Sequence, residues 1–296
     1  MYKKFSYYLP SLGQSWMLVL LMLICGSILG AIAQLPILTN IYTIESIAGQ
    51  ITTKVVAYLL LFLAPIIFIL YKVKHDTNLS KLTLKKIERV RLNKANFGKL
   101  NPFVFFILIF IGLFCLIFLM DPLTDWMPQP EWFTKLMETA VGGNIYITIF
   151  GVAICAAFCE EFFCRGIILR GLLRHLSPTK AIIWSAFIFA FIHLNPWQGI
   201  SAFIFGLFFG WIYYKTHCLW CTIFLHFTNN FFSCIADQIF PNMNTELSLR
   251  MNIANDEKYW LILSIAFGLF TVIWVVITKY IPTSETNLVF NRKKNN

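Results

Sequence analysis

The chain has 296 residues, 58% of them apolar and only 13% charged, with a mean hydropathy of +0.70. A soluble domain holds about 45–50% apolar and about 25% charged residues, and a disordered chain holds fewer apolar ones still, so both classes are excluded. The formal charge of +10 comes from 24 basic and 14 acidic side chains, and it is their distribution along an all-α polytopic membrane protein, not nucleic acid, that explains it.

A spanning helix needs about 20 mainly apolar residues to cross a hydrocarbon core about 30 Å thick. In chain order, uncharged candidates are 16–38, 55–71 and 103–120, with 259–278 closing the series. Pro65 is expected to kink the second of them. Between the third and the last lie 144–159, which runs into Glu160, Glu161 and Arg165, and then 181–194 and 199–214, separated by Asn195, Pro196 and Trp197 as a tight turn. The stretch 218–236 is apolar apart from His226, Asn229 and Asn230. This gives an expectation of a bundle of about eight transmembrane helices, divided as N-terminal helices with a basic loop (1–143), a central polar-bearing set (144–240), and a last helix with a basic tail (241–296).

The basic residues orient the bundle. Lys3 and Lys4, nine basic residues in 72–99, four in 165–180, Lys215 and four in 279–294 fall on one side, 20 in all; Lys54, Lys135, Arg250 and Lys258 fall on the other. The positive-inside rule makes the first side cytoplasmic, with both termini there. Lys3 and Lys4 precede an apolar stretch too long for a cleaved signal peptide. The run 72–99 reads as a solvated basic loop, with the alternative of a helix capped by Ser80 that lays Leu82, Ile87 and Val90 against the headgroups. Arg170 and Arg174 read as a basic cluster at a helix end. The eight cysteines sit in or beside apolar segments, which speaks against a disulfide framework, and the single pair Cys218 and Cys221 is a weak redox or metal signal.

Ionisable groups inside spans are costly and mark functional sites. Glu161 and Arg165 stand at i and i+4 and can pair, while Glu160 points about 100° away, without that partner and poised to exchange a proton. The bland alternative is a helix end with its charges turned outward to water. His193 ends a second pattern that begins at Phe189. His226 and Asn230, again at i and i+4, share a third helix face, and Asn229 points elsewhere, towards a neighbouring helix. Together they contain the parts for amide hydrolysis without a covalent intermediate: Glu160 and His193 to deprotonate a water, His226 and Asn230 to donate to an oxyanion. Ser185 and Ser201 sit in no recognisable nucleophile setting. The three groups stand at different distances from their helix ends, so they meet only if helices tilt or the fourth helix continues past Arg165.

These motifs resemble the CPBP intramembrane endopeptidases, the family that includes type II CAAX prenyl proteases and bacterial Abi-type proteins. Its pattern of EExxxR, FxxxH and HxxxN on successive helices reads here as Glu160-Glu161 with Arg165, Phe189 with His193, and His226 with Asn230. Cys164 stands where the family often has an aromatic residue. The resemblance covers roughly 144–240. It implies that Glu160 is the catalytic base with His193, that His226 and Asn230 stabilise the oxyanion, and that Glu161 and Arg165 are structural support. It implies no cofactor, with a zinc site of Glu160, His193 and His226 as the alternative. The partners it implies are a membrane protein or peptide substrate and the lipid bilayer, with no nucleic acid. A non-catalytic immunity or scaffold protein and a transporter are the competing readings, the latter disfavoured because no repeated hydropathy halves are present. The composition points to a bacterial inner membrane.

Overall fold

The computed structural model describes residues 2–33, 47–83, 88–141, 144–242 and 248–281. Among them the regular structure is entirely helical. After a short turn at Tyr2–Phe5 come α1 (Leu12–Ala33), α2 (Ile47–Leu61), α3 (Leu63–Thr83), α4 (Pro102–Thr124) and α5 (Glu131–Val141). They are followed by α6 (Ile145–His175), α7 (Pro178–Phe191), α8 (Pro196–Thr216), α9 (Leu219–Ile239), α10 (Leu249–Ile253) and α11 (Asp256–Tyr280). The end of the expected first span beyond residue 33, Ile87, and the basic tail after 281 lie outside the described residues.

The described parts of all eight expected apolar segments fall largely on helices, but the count of eight spans is not confirmed. By length and composition four described helices can cross a membrane, namely α1, α4, α6 and α11, and five if α2 and α3 form one broken span bent by 45°. α7 has only 14 residues, and polar groups dilute α8 and α9. The bend falls just ahead of Pro65, as expected: proline lacks the N–H and its ring collides with the carbonyl four residues back, at Leu61. The outward faces of α1 and α11 carry exposed Leu20, Ile24, Ile28, Leu261, Ile265 and Phe267. Such faces suit contact with lipid tails, since lipid is as apolar as they are.

Two apolar cores lie side by side. One packs α1, α3, α6 and α7 through Leu18, Ile69, Ile167 and Ile188, while the other packs α4, α8, α9 and α11 through Ile109, Phe209, Leu225 and Ile273. α8 stands between them, sending Tyr213 into the first and Phe209 into the second. Asn195 joins α7 to α8 as the turn read from the sequence: its side chain accepts from Gln198 N at 2.8 Å, and Pro196 opens the helix.

The basic run is less solvated than expected. Ser80 lies inside α3, near its C-terminal end, and not at the start of a helix. Val90 and Leu92 are buried, and the backbone that follows is tied to the α8–α9 turn: Tyr213 Oη donates to Leu92 O, Leu219 N to Asn93 Oδ1, and Lys94 N to His217 O. The reason is Arg170. Read as part of a surface cluster, it is fully buried and donates to the carbonyls of Phe5, Tyr8 and Val90 at 2.5–2.7 Å. One guanidinium thereby fastens the N-terminus and the loop to α6. Arg174, by contrast, is a surface residue paired with Glu88.

Two predictions follow from this packing. A Cβ on Gly206 would stand 2.9 Å from Ala186 Cα, where α7 and α8 pack closely together. Backbone cannot yield as a side chain can, so Gly206→Ala is expected to cost about 1–3 kcal/mol, read as a lower thermal midpoint in detergent. His217 closes α8 in the left-handed region (φ 48°) with its ring buried. Burial, and then the nearby Lys94, push its imidazole down to about 4. The unfolded chain then binds a proton that the folded chain refuses. Stability from this group is thus present above about pH 6.5 and is lost as the pH falls towards about 4. A His217→Asn variant, which keeps the backbone conformation, should show a flatter decline of thermal midpoint across that window.

Candidate functional site

α6 is continuous from Ile145 to His175, so the fourth apolar segment does run past Arg165, one of the two arrangements that let the three motifs meet. It is irregular inside: π-type hydrogen bonding occupies Ile149–Cys155 and Phe162–Leu169, on either side of a six-residue α-helical stretch, Ala156–Glu161. Stretches of π geometry are frequent at functional sites, and they turn side chains off the ordinary helical faces. Here they bracket the two adjacent glutamates.

The glutamates part company. Glu161 is fully buried, and its Oε1 accepts from Arg165 Nη1 at 2.6 Å and from His226 Nδ1 at 2.9 Å. Arg165, also fully buried, sends Nη2 to Gly206 O at 3.3 Å. Its guanidinium carbon lies 4.3 Å from the Phe189 ring centroid and 5.5 Å from that of Phe209. Cation–π contact of this kind strengthens where water is excluded. The i, i+4 pairing read from the sequence is therefore real; the contact to His226 is not legible from spacing, because it joins two helices 65 residues apart. A carboxylate only accepts, so the proton on Nδ1 belongs to His226 and Nε2 is left for other partners.

Glu160 turns the other way. It is half-buried, and its Oε2 is buried with no hydrogen-bond partner among the described residues. It lines a cavity of about 620 Å³ together with His193, His226 and Asn230. All four residues read as catalytic are thus brought to one space, with Glu161 and Arg165 behind it. His193 is half-buried; its Nδ1 lies 2.8 Å from Phe189 O, which fixes that nitrogen as the donor, and its ring meets the Phe189 ring edge-on at 5.2 Å. Asn230 donates through Nδ2 to Val152 O at 2.9 Å, the carbonyl lying in the first π stretch.

Other residues of the site were not foreseen. Asn229 does not point away: it lines the same cavity and donates to Asn230 Oδ1 at 3.1 Å. Tyr58 of α2 and Phe133 of α5 reach the cavity from outside the three motifs, as does Trp197, whose ring stacks on Phe133 at 5.0 Å and whose Nε1 donates to Pro128 O. Nothing in the local sequence marks these aromatics, since 17% of the chain is aromatic. Ser201 lines the cavity, whereas Ser185 is turned away and donates to Cys164 O.

Glu160, His193 and His226, the alternative zinc set, all line this cavity. Among the described residues no group of three or more His, Cys, Asp and Glu side chains is placed to hold a metal ion, while the Nδ1 bonds of His193 and His226 to protein oxygens leave Nε2 of each ring for another partner. Cys218 and Cys221 are buried, and no disulfide links any of the eight cysteines.

An all-α polytopic membrane protein with ionisable groups gathered at a half-open, aromatic-walled cavity is the class that this fold and site define. Residues 142–232, roughly a third of the chain, match the family model described as Rce1-like, type II CAAX prenyl endopeptidase Rce1-like. The match supports assignment to the CPBP/CAAX protease family and takes in all three motifs. No curated protein and no solved structure was found to match.

The two glutamates should respond differently to the same change. Glu161→Gln leaves the buried Arg165 without its counter-charge, and breaking a buried pair costs about 3–5 kcal/mol. Glu160→Gln removes no partner. A large drop in thermal midpoint for Glu161→Gln and a small one for Glu160→Gln is expected from denaturation in detergent.

Proposed function

We propose that this protein is an intramembrane endopeptidase that hydrolyses a peptide bond of a membrane-associated protein or peptide with activated water. The observation that carries the reading is the convergence of Glu160, His193, His226 and Asn230 on one cavity, with Glu160 Oε2 unpartnered among the described residues. The family match, whose printed description is of an endopeptidase, supports the reaction class.

Glu160 is the base. It takes a proton from a water held between it and His193, and the water oxygen attacks the carbonyl carbon. The carbonyl oxygen takes up the electron pair and is met by His226, donating through Nε2, and by an amide N–H of Asn230. When the C–N bond breaks, Glu160 returns its proton to the departing amine, leaving an acid and an amine. Phe133, Trp197 and Phe205 line the cavity, an environment for apolar substrate side chains. No step requires a metal. The 20 to 4 distribution of basic residues supports an orientation with both termini cytoplasmic in a cell membrane, and the composition supports a bacterial one.

Purified protein is incubated with a library of membrane peptides, with metal content measured in parallel. Cleavage by the wild type and a loss of about 10²-fold or more in Glu160→Gln, with the thermal midpoint retained and no stoichiometric metal, is the expected outcome. Full activity in Glu160→Gln would overturn the assigned base. Stoichiometric zinc that disappears in His193→Ala or His226→Ala would turn these residues into ligands.

A further inference from the structure

The proposed reaction leaves unused a cavity of about 1050 Å³ where the N-terminal residues, the part of α3 from Leu70 to Ser80 and residues 88 and 89 meet. It shares no lining residue with the cavity around Glu160. Three cations line it, Lys4, Lys74 and Arg89, all exposed. Its one carboxylate among the described residues, Glu88, is engaged by Arg174 Nε at 2.6 Å, so this described wall is left with a positive excess. Arg89 is held over the Tyr7 ring at 5.8 Å. The other wall is apolar, formed by Leu70 and the buried Val73 on the helix that passes towards the bilayer.

Cations on one wall and hydrocarbon on the other match an amphiphile with a negative head. A site for a soluble anion has no use for the apolar wall, and a lipid-tail groove has no use for three cations. Basic pockets at the cytoplasmic ends of helices are where anionic headgroups bind, each Lys or Arg near the surface contributing about 1 kcal/mol. We propose that this cavity binds the phosphate headgroup of an anionic phospholipid, with Lys4, Lys74 and Arg89 receiving the phosphate and Leu70 and Val73 covering the start of an acyl chain. The basic run 72–99 then does more than orient the chain: part of it is folded into a lipid site that Arg170 holds in shape from behind, by fixing Phe5, Tyr8 and Val90.

The test is native mass spectrometry of the full chain in detergent, titrated with dioleoylphosphatidylglycerol, with dioleoylphosphatidylcholine, and with glycerol phosphate. One phosphatidylglycerol should bind in preference to phosphatidylcholine. The affinity should fall about fivefold for each of Lys4→Gln, Lys74→Gln and Arg89→Gln, as one surface cation's contribution requires. The triple variant should bind both lipids alike, with its thermal midpoint unchanged in lipid-free detergent. If the triple variant does not fold, the three single variants carry the test. Equal binding of the two lipids by the wild type, or undiminished phosphatidylglycerol binding in the variants, would overturn the proposal. Displacement of the lipid by glycerol phosphate at matching concentration would overturn the lipid as source and leave a soluble phosphate ester.

Discussion

The buried contact among Glu161, Arg165 and His226 is what the centre of this molecule depends on. Two opposite charges with no solvent access sit at the seam where the two apolar cores meet, and such a pair is tolerable only when geometry and extra hydrogen bonds offset the loss of hydration. Each partner here does double duty. Glu161 holds α6 to α9 through His226, and Arg165 holds α6 to α8 through Gly206 O and lies between Phe189 of α7 and Phe209 of α8. Four helices are thus located by one ion pair. In a bilayer, where burying more apolar surface adds little to helix association, polar contacts of this kind and close backbone approach carry the packing. The approach of Gly206 to Ala186 beside the same arginine shows both at once.

The same constraint separates the two adjacent glutamates chemically. Because Arg165 and His226 both claim Glu161, and the helix turns by 100° between neighbours, Glu160 is left facing the cavity. The π stretches on each side set which faces the flanking residues occupy, and the first of them supplies the Val152 carbonyl that receives Asn230. A second arginine one turn further along, Arg170, does for the periphery what Arg165 does for the centre. It is buried against three backbone carbonyls, those of Phe5, Tyr8 and Val90, and it turns an exposed N-terminus and a charged loop into packed parts of the fold.

Much of the site is legible in the sequence, since ionisable and amide groups inside apolar helices are rare enough to be noticed singly. Glu160, Glu161, Arg165, His193, His226 and Asn230 stand out on that ground, and i, i+4 spacing suffices to pair Glu161 with Arg165. Spacing fails where contacts cross between helices. It gave no hint that His226 is tethered to Glu161, it turned Asn229 away from the cavity it lines, and it left Arg170 on the surface. The aromatics Tyr58, Phe133 and Trp197 are invisible among so many of their kind.

What the sequence alone determined is the solvent and the chemistry. Long apolar runs demand a helical membrane protein because backbone groups in lipid must pair within their own segment, and buried acids, histidines and amides demand a reason for being there. What only the tertiary structure decided is which of these groups face one another. The number of helices fit to span stays at four or five among the described residues rather than eight, because α7 is short and α8 and α9 are diluted by the polar groups that shape the site. Mutual orientation depends on helix rotation, tilt and π geometry, and a shift of one residue at any of them would move a side chain by 100°, which no reading of spacing within a single helix can fix.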